Sequence, residues 1–594
     1  MSWAPSSRMD PLVLAIIAIV VVAVTSAVAP RIKIAGPLLL VAIGLGVSLL
    51  PFVPPVQVEP EIILVGILPP LLYSAAVQLP AIEFRRDFGP IAGLSVLLVL
   101  LSSLALGLFF NQLVPGLGIF FALALGAILS PTDAVATAIV KRLGISRRVV
   151  TLLEGESLLN DATALVILRV AVAIAVTGIT PAGGIMGAFA WGVFIAVLIG
   201  AVVGWLNLRL RHFIRNSAAN TAIGIVVPFV AYLPAEHLDG SGLVAAVVAG
   251  IVTGQGAARW FTPEQRMSDE LNWRTIELVL EGGVFLLMGL ELKELLQQNL
   301  DDDRGLAHAA GLALGAFTII MVVRAAYVSL LVWLQSRRAR RKQRSRTRLE
   351  SFSDRIDEFE ADPHAPRGRG DARREPPQQP MSPERRSRRI GAMRARIARG
   401  IADIDYYQAS PLGWKHGTVI VWAGMRGVVT LAAAQTLPHE TAERPLLVFV
   451  AFLVAVGSLM VQGLTLPWLV RALRIDDSAA DEVSRVEQLR LDGELREAAA
   501  SALADPALIR RNGSAFSETL VEGVGARLTE PPDEETGSTM HEGLELRLAM
   551  IEAMRARLVE LSAGGVYSTA VLRHSLAELD ADQLSIELRL EDGD

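Results

Sequence analysis

Along most of this chain, polar residues come in short clusters that separate long apolar runs. Runs of roughly 17 to 25 residues, each long enough to cross a ~30 Å hydrocarbon core as a helix, recur from Pro11 to about Leu473. They lie near residues 10–29, 36–52, 61–79, 89–114, 117–140, 151–176, 184–208, 218–236, 241–255, 270–290, 305–334, 412–437 and 446–472. The pattern predicts about thirteen transmembrane helices. The period-2 alternation with short turns that marks a β-barrel does not occur, so the expected fold is an all-α polytopic membrane protein.

Composition supports that reading. Of 594 residues, 52% are hydrophobic and 19% charged, and the mean hydropathy is +0.46, which excludes an ordinary soluble domain. The basic clusters orient the chain, because Lys and Arg in short loops stay on the cytoplasmic side. Arg31 with Lys33, Arg85 with Arg86, "KRLGISRR", "RLRHFIR" and "RRARRKQRSRTR" all follow odd-numbered spans. That places the N-terminus outside and the C-terminus in the cytoplasm, in a plasma (inner) membrane. The first run lacks a basic n-region and a small-residue cleavage site, so it reads as a retained span. Zero cysteines exclude disulfides, thiolate metal sites and cysteine nucleophiles. Five Lys against fifty Arg suggest a GC-rich, bacterial source.

Polar segments divide the chain into four regions. Residues 1–335 hold spans one to eleven. A basic insert follows at 336–411, rich in Arg, Pro and Ser, predicted largely disordered with some helix near "RRIGAMRARIARGIADIDYY". Its Arg cluster fits the positive-inside signal, with contact to anionic lipid headgroups as the sharper reading; no recognition fold for nucleic acid accompanies it. Residues 412–475 hold spans twelve and thirteen. The acidic remainder, 476–594, shows helical spacing in "MHEGLELRLAMIEAMRARLVEL" and predicts a helical cytosolic tail, either a packing and dimer-supporting bundle or a regulatory domain.

Charges inside the apolar runs carry the chemistry. Span six reads "LLEGESLLNDATALVILRVAVAIAV", with Glu154, Glu156, Asn160 and Asp161. A carboxylate at bilayer depth costs about 2.5 to 3.5 kcal/mol on translocon scales, so each needs a function. On a helix Glu156 shares a face with Asn160, and Ser157 with Asp161, the two faces lying about 100° apart. One acid can then be neutralised while the other meets an ion. Arg324, in the middle of "TIIMVVRAAYVSLLVW", needs a counter-charge and is assigned to Glu156. Glu154 is placed near the cytoplasmic headgroups.

Two spans carry helix breakers. Pro131 interrupts "FALALGAILSPTDAVATAIV" beside Thr132 and Asp133, and Gly424 and Gly427 flank Arg426 in "VIVWAGMRGVVTLAAA". Broken backbone at membrane depth is tolerated where protein or a water-filled cavity satisfies it, and transporters build ion sites there. The two breaks are expected to face each other, Asp133 compensating helix N-termini and Arg426 helix C-termini.

"SPTDAVA", "EGESLLNDATALV", "GGVFLLMGL" and "GMRGVVTLA" together resemble the motif set of the monovalent cation/proton antiporters of the NhaP and NHE sodium/proton exchanger type. The likeness covers roughly residues 10–475. It implies the antiporter fold with two interrupted crossing helices, a homodimer, and a six-helix core that moves against a dimerisation domain. It further implies exchange of Na⁺, K⁺ or Li⁺ for H⁺ by alternating access, in pH and cation homeostasis, with no resident cofactor. By matching residue, Asp161 resembles the ion- and proton-binding carboxylate, Thr132 and Asp133 the unwound positions, and Ser157 and Asn160 neighbours of the site; all five are expected to form the ion- and proton-binding site, with Asp161 and Asp133 as ligands of the monovalent cation. Glu156 and Arg324 resemble the structural pair, Arg426 the arginine at the second break, and Glu281 a span-ten acid. Asn160, neutral beside Asp161, resembles the electroneutral branch. Ser74, in "LPPLLYSAAVQLP", departs from the pattern, since many relatives carry an acid there.

A cation channel and a non-transporting membrane sensor are the alternatives. Carboxylates also line cation pores, but no carbonyl-rich Gly repeat of a pore loop occurs. An enzyme is not expected: the chain has no HExxH, no GxSxG and no paired His at ligand spacing.

Overall fold

The membrane region is entirely helical. A computed structural model describes residues 11–178, 184–300, 305–361 and 411–475 apart from single positions, isolated positions between 393 and 407, and, in the tail, parts of 493–529 with 543–554 and 569–591. In chain order come α1 (Pro11–Ile32), α2 (Gly36–Ser48), α3 (Leu68–Gln78, entered through a π-helical turn), α4 (Ala81–Arg86) and α5 (Phe88–Ala92). Then follow α6 (Leu98–Leu113), α7 (Ile119–Leu129), α8 (Val135–Arg142), α9 (Arg147–Thr177), α10 (Gly184–Phe213), α11 (Ser217–His237) and α12 (Gly242–Trp260). The series continues with α13 (Pro263–Leu290), α14 (Leu292–Leu300), α15 (Gly305–Ala361), α16 (Trp414–Trp422), α17 (Val428–Gln435) and α18 (Arg444–Leu473).

Among the described residues eight helices are long and apolar enough to cross a membrane, and they coincide with expected spans one, four, six to nine, eleven and thirteen. The remaining expected spans take other forms. Those near 36–52 and 61–79 are shorter apolar helices, and the fifth and twelfth are broken in two. The tenth is the N-terminally charged α13.

Two groups of helices can be followed, in contact along α9 and also where α2 meets α18 and α13 meets α17. In one, α1 and α2 pack on α13, while α3 and α10 to α12 pack on one another. In the other, α6, α7 and α9 pack together, and α15 runs beside α6, α16 and α18. Small residues let backbones approach where no hydrophobic effect separates helix from lipid. Gly204 of α10 is one such point, because a Cβ there would lie 2.9 Å from the Ala249 carbonyl oxygen of α12. Ile16, Ile17, Val20 and Val24 of α1, and Phe194, Leu198 and Trp205 of α10, turn large apolar surfaces outward, as lipid-facing helices do.

The start of the insert carries a helix that its charge does not announce: residues 336–361 are helical and continue α15. No Pro or Gly interrupts this stretch, and Arg and Glu are good helix formers, so nothing in it stops the span that feeds it. Most of the remaining insert lies outside the described residues.

The chain divides into two compact units, Met1–Ala480 and Asp481–Asp594. In the second, α19 (Glu518–Thr529) and α20 (Thr569–Glu591) are described, and Leu544, Ile551 and Ile586 form a small apolar core.

Candidate functional site

Both breaks fall where the sequence places its breakers. After α7, Pro131 has no N–H to continue the helix, and the last turn closes with the Ser130 N–H on the Ala127 carbonyl at 3.2 Å. α8 resumes at Val135. After α16, the Gly424 N–H closes on the Val421 carbonyl at 3.3 Å, and α17 resumes at Val428. The two unwound segments touch, with the Asp133 N–H donating to the Met425 carbonyl at 2.8 Å.

Each break leaves a helix N-terminus with unpaired N–H groups and a C-terminus with unpaired carbonyls, which need polar partners at membrane depth. Asp133 serves the N-termini. Its Oδ1 accepts from the Val135 N–H at 3.0 Å, and the carboxylate also meets the N–H groups of Ala134 and Val428. One acid therefore caps both α8 and α17. Arginines serve the C-termini. Arg426 Nε donates to the Leu129 carbonyl of α7 at 2.9 Å, and its guanidinium also reaches the Gly424 carbonyl. Arg324 Nε donates to the Ile420 carbonyl of α16 at 3.0 Å. The Arg426 N–H is held by Ser458 Oγ of α18 at 2.9 Å.

Gly424 and Gly427 act here by absence of a side chain. Neither has positive φ among the described backbone. A Cβ at Gly424 would lie 2.6 Å from Arg324 Nε, and one at Gly427 would fall on the Asp133 carboxylate. The glycines make room for the acid and the base that hold the crossing.

A hydrogen-bonded chain joins α9 to the breaks. Both oxygens of Glu156 are taken by Arg324, Nη2 at 2.9 Å from Oε2 and Nη1 against Oε1, with both side chains about 1 to 2% exposed. Thr132 Oγ1 donates to Glu156 Oε1 at 3.2 Å, and Asn160 Nδ2 donates to Thr132 Oγ1 at 2.7 Å. The Asn160 Oδ1 is buried and has no hydrogen-bond donor among the described residues. Ser157 donates back to the Glu154 carbonyl at 3.1 Å. Glu154 is partly exposed, with Lys141 the base that acts on it.

Asp161 differs from all of these. It is 8% exposed, and among the described residues no hydrogen bond or ion pair engages its carboxylate; the charged neighbour close enough to act on it is Asp133. Asp161 and Asn160 Oδ1 thus bring acceptor oxygens without donors to one stretch of α9. Buried polar atoms are normally paired, so the Asn160 oxygen calls for a donor or a cation, and the slightly exposed Asp161 carboxylate is open to a proton or a cation.

Glu281 stands apart from this chain. It lines a cavity of about 190 Å³ between α1, α2, α8 and α13, together with Ser26, Val135 and Arg142, and feels the charges of Asp133 and Glu277. Glu277, one turn earlier on α13, is the residue the sequence reading missed. Ser74 Oγ donates to Glu277 Oε1, and Gln78 Nε2 donates to the same oxygen at 3.1 Å. The position that lacks an acid on α3 is therefore faced by an acid from α13. The four-residue spacing of Glu277 and Glu281 on one helix face was the available signal.

Comparison with known proteins agrees with this geometry. The family model described as "Sodium/hydrogen exchanger, transmembrane" matches residues 16–350 and 395–472. The uncharacterized Na⁺/H⁺ exchanger YjcE of Escherichia coli is 37% identical over 44% of this chain, a match that spans half of that protein. An uncharacterized Na⁺/H⁺ exchanger of Mycobacterium tuberculosis is 27% identical over 97% of this chain and 96% of its own length. A sodium, potassium, lithium and rubidium/H⁺ antiporter of Bacillus subtilis is 29% identical over 50% of this chain and 45% of its own. The solved structure of the sodium proton antiporter MjNhaP1 from Methanocaldococcus jannaschii covers 78% of this chain and 99% of its own, with a TM-score of 0.52 at 16% identity, and shares the fold. With the family model matching most of the membrane region, the chain belongs to the sodium/hydrogen exchanger family of transmembrane antiporters.

Proposed function

We propose that this protein is a secondary active antiporter that exchanges a monovalent cation, Na⁺ first and K⁺ or Li⁺ next, for H⁺ across the membrane by alternating access. The observation that carries the reading is the difference in partnering among the buried acids. Glu156 is held by Arg324 and Asp133 by helix N-termini, while Asp161 has no donor among the described residues. A carboxylate free to take either a proton or a cation is what one-for-one exchange requires. Asn160 Oδ1, an acceptor without a donor, is the neutral oxygen best suited to join it as a cation ligand. Thr132 orients Asn160, and Ser157 lies on the Asp161 face. With Asp133 committed to capping and Asn160 neutral, one titrating site predicts electroneutral exchange. Glu277, which accepts from Ser74, supplies an accessory carboxylate beside Glu281.

The helix group that contains both breaks is the moving part in this proposal, and the group built on α2, α10, α12 and α13 is the fixed part and the homodimer face. The N-terminus lies outside and the C-terminus in the cytoplasm of a bacterial inner membrane. No resident cofactor is needed, since cation and proton are the cargo.

Reconstitution in proteoliposomes tests the reading. Internal pH should respond to added Na⁺, K⁺ or Li⁺ at the same rate whatever the clamped membrane voltage. Apparent cation affinity should fall up to tenfold for each pH unit below the site's own pKa, with maximal rate retained. Voltage-driven cation flux without proton movement would replace the antiporter with a channel, and absence of any flux would favour a sensor.

A further inference from the structure

One buried acid takes no part in the crossing. Glu291 is the first residue after α13 and after the tenth expected span, and it joins α13 to α14: its N–H donates to the Leu287 carbonyl and its carbonyl accepts from the Leu295 N–H, both at 3.1 Å. It is 3% exposed. Across from it stands Gln435, the last residue of α17, whose Nε2 donates to Glu291 Oε2 at 2.9 Å. The contact joins the two helix groups, since α13 belongs to one and α17, which resumes after the second break, packs on α7 and α18 of the other. Both ends are fixed from behind. Arg444 Nη2 donates to the Gln435 carbonyl at 2.6 Å and Nε to the Leu437 carbonyl at 2.7 Å, while Asn299 of α14 donates to the Pro445 carbonyl at 3.2 Å.

The pairing is incomplete. Glu291 Oε1 and Gln435 Oε1 are buried, and neither has a hydrogen-bond donor among the described residues. An acid and an amide that meet through one N–H can close a second hydrogen bond between their other two oxygens, and that bond needs a proton on the acid. When the acid is ionised, two buried acceptors are left without a donor, which is costly away from water.

The charged groups around Glu291 are engaged elsewhere. Lys293 donates to the Leu50 and Val53 carbonyls, Glu294 accepts from Gln298, and Arg444 is on the last carbonyls of α17. On α11, which packs on α13, Glu236 is taken by Arg169. α2 carries no titratable group, and α1 has Arg31 at its far end. Glu59, Glu61, His308, His439, Glu440 and Glu443 complete the set on the adjoining segments. What acts on the Glu291 carboxyl is burial, which raises its pKa to about 7, against two neutral donors, the Gln435 amide and the Val58 N–H. A carboxyl with a raised pKa is protonated below that value and ionised above it, so the second hydrogen bond is available below about pH 7 and lost above.

We propose that Glu291 is a proton-controlled latch: protonated, it donates from Oε1 to Gln435 Oε1 and closes an acid–amide pair that holds α13 to α17; ionised, it releases α17. The inference rests on the alternating-access reading above, in which these helices lie in the fixed and the moving group. The orientation given there puts the latch on the outer face, while the Glu281 cavity reaches the inner ends of α1 and α8 at Pro30 and Arg142. Acid outside holds the outer face shut and loss of the proton lets it open, a control separate from competition between proton and cation at Asp161.

The chain has no cysteine, so a single introduced one reports exposure of the covered surface. In Leu431→Cys the thiol replaces a side chain 2% exposed, one turn before Gln435 on α17. Full-length protein in lipid nanodiscs is treated with a hydrophilic maleimide at about pH 6 and about pH 8, one unit either side of neutrality. Each rate is divided by that of the Glu291→Gln background at the same pH, which cancels the chemistry of the thiol. Glutamine at 291 both accepts from and donates to Gln435, so this background keeps the latch shut at either pH. The ratio should stay near one at the lower pH and rise several-fold at the higher, and Glu291→Ala, which cannot pair, should label faster than Glu291→Gln at both. Infrared difference spectra of wild type minus Glu291→Gln need no cysteine and hold even where Leu431→Cys does not fold. They should show a protonated-carboxyl band that fades across the same range. A ratio near one at both pH values in folded protein, or a Glu291 carboxyl that stays ionised or stays protonated throughout, overturns the proposal. Neither readout is exchange: a pH-dependent ratio without cation-driven proton flux supports the latch and counts against the antiporter, and flux with a flat ratio refutes the latch alone.

Discussion

Two faces of α9 carry acids five residues apart, and they are treated in opposite ways. The face at Glu156 is closed: Arg324 takes both oxygens, Thr132 adds a donor, and the arginine goes on to hold a carbonyl of α16. The face at Asp161 is open, with Asp133 as its charged neighbour and no donor among the described residues. Burial does not distinguish them, since both lie almost out of solvent. What separates a structural from a transporting carboxylate is whether its lone pairs are already used. The same accounting places Asp133 with the structural group despite its position at the crossing.

The largest effect should come from the open face. Asp161→Asn removes the charge and the exchangeable proton while keeping shape, so exchange should fall to background in proteoliposomes with Tm close to wild type. Because no partner is stranded by the change, a large loss of Tm would place Asp161 among the structural acids. The closed face should respond in the other currency. Glu156→Ala or Arg324→Ala strands a buried charge, a loss of about 3 to 5 kcal/mol, visible as poor yield and a lowered Tm. The swap Glu156→Arg/Arg324→Glu should recover part of it. Additive damage in the swap would argue against a pairwise role, although the carbonyl and threonine contacts limit how complete the recovery can be.

How far the sequence reaches can be read from these residues. The breaks and the paired face left marks in single runs: Pro131 stands beside the polar Thr132 and Asp133, unlike Pro228, Pro234 and Pro467, which sit inside the unbroken α11 and α18, and a lone arginine in an apolar run demands an acid. The opposition of the two breaks followed from the signs of their charges. Three things were not legible. That Gly424 and Gly427 serve close approach depends on where Arg324 and Asp133 arrive from other helices. The helical start of the insert was hidden by its charge, since composition rates solvation and not the continuation of a span already formed. The contact of Ser74 with Glu277 joins residues 203 apart, and no periodicity reports such a pairing.

Asp133 gives a test between the extremes. Asp133→Asn keeps one carbonyl oxygen for a helix N-terminus and turns an amide toward the other, so α8 and α17 cannot both be capped. Loss of one cap costs typically about 1 kcal/mol, and up to about 2, which should appear as a modest fall in Tm, with exchange reduced and not abolished. Full loss of exchange at unchanged Tm would move Asp133 to the open, ion-handling side of the comparison.

The smallest effect, and the one that most sharpens the comparison, is expected at Glu277. This acid is partly partnered: one oxygen receives Ser74 and Gln78, and the donors are neutral, so its charge is not cancelled as that of Glu156 is. It also shares a helix face with Glu281, which feels both Glu277 and Asp133. A negative charge so placed raises the local concentration of cations near the site without having to exchange a proton in each cycle. Glu277→Gln should therefore weaken apparent cation affinity several-fold, an effect of about 1 kcal/mol by the usual relation of affinity to free energy, while leaving maximal rate and Tm near wild type. Ser74→Glu in the Glu277→Gln background restores an acid on α3, opposite the neutralised position. If the charge matters and its helix of origin does not, the double variant should regain affinity. An affinity unchanged by Glu277→Gln, or a Glu277→Gln loss that Ser74→Glu deepens, would mean that this carboxylate belongs to the packing of α3 on α13 and that the open face of α9 works without it.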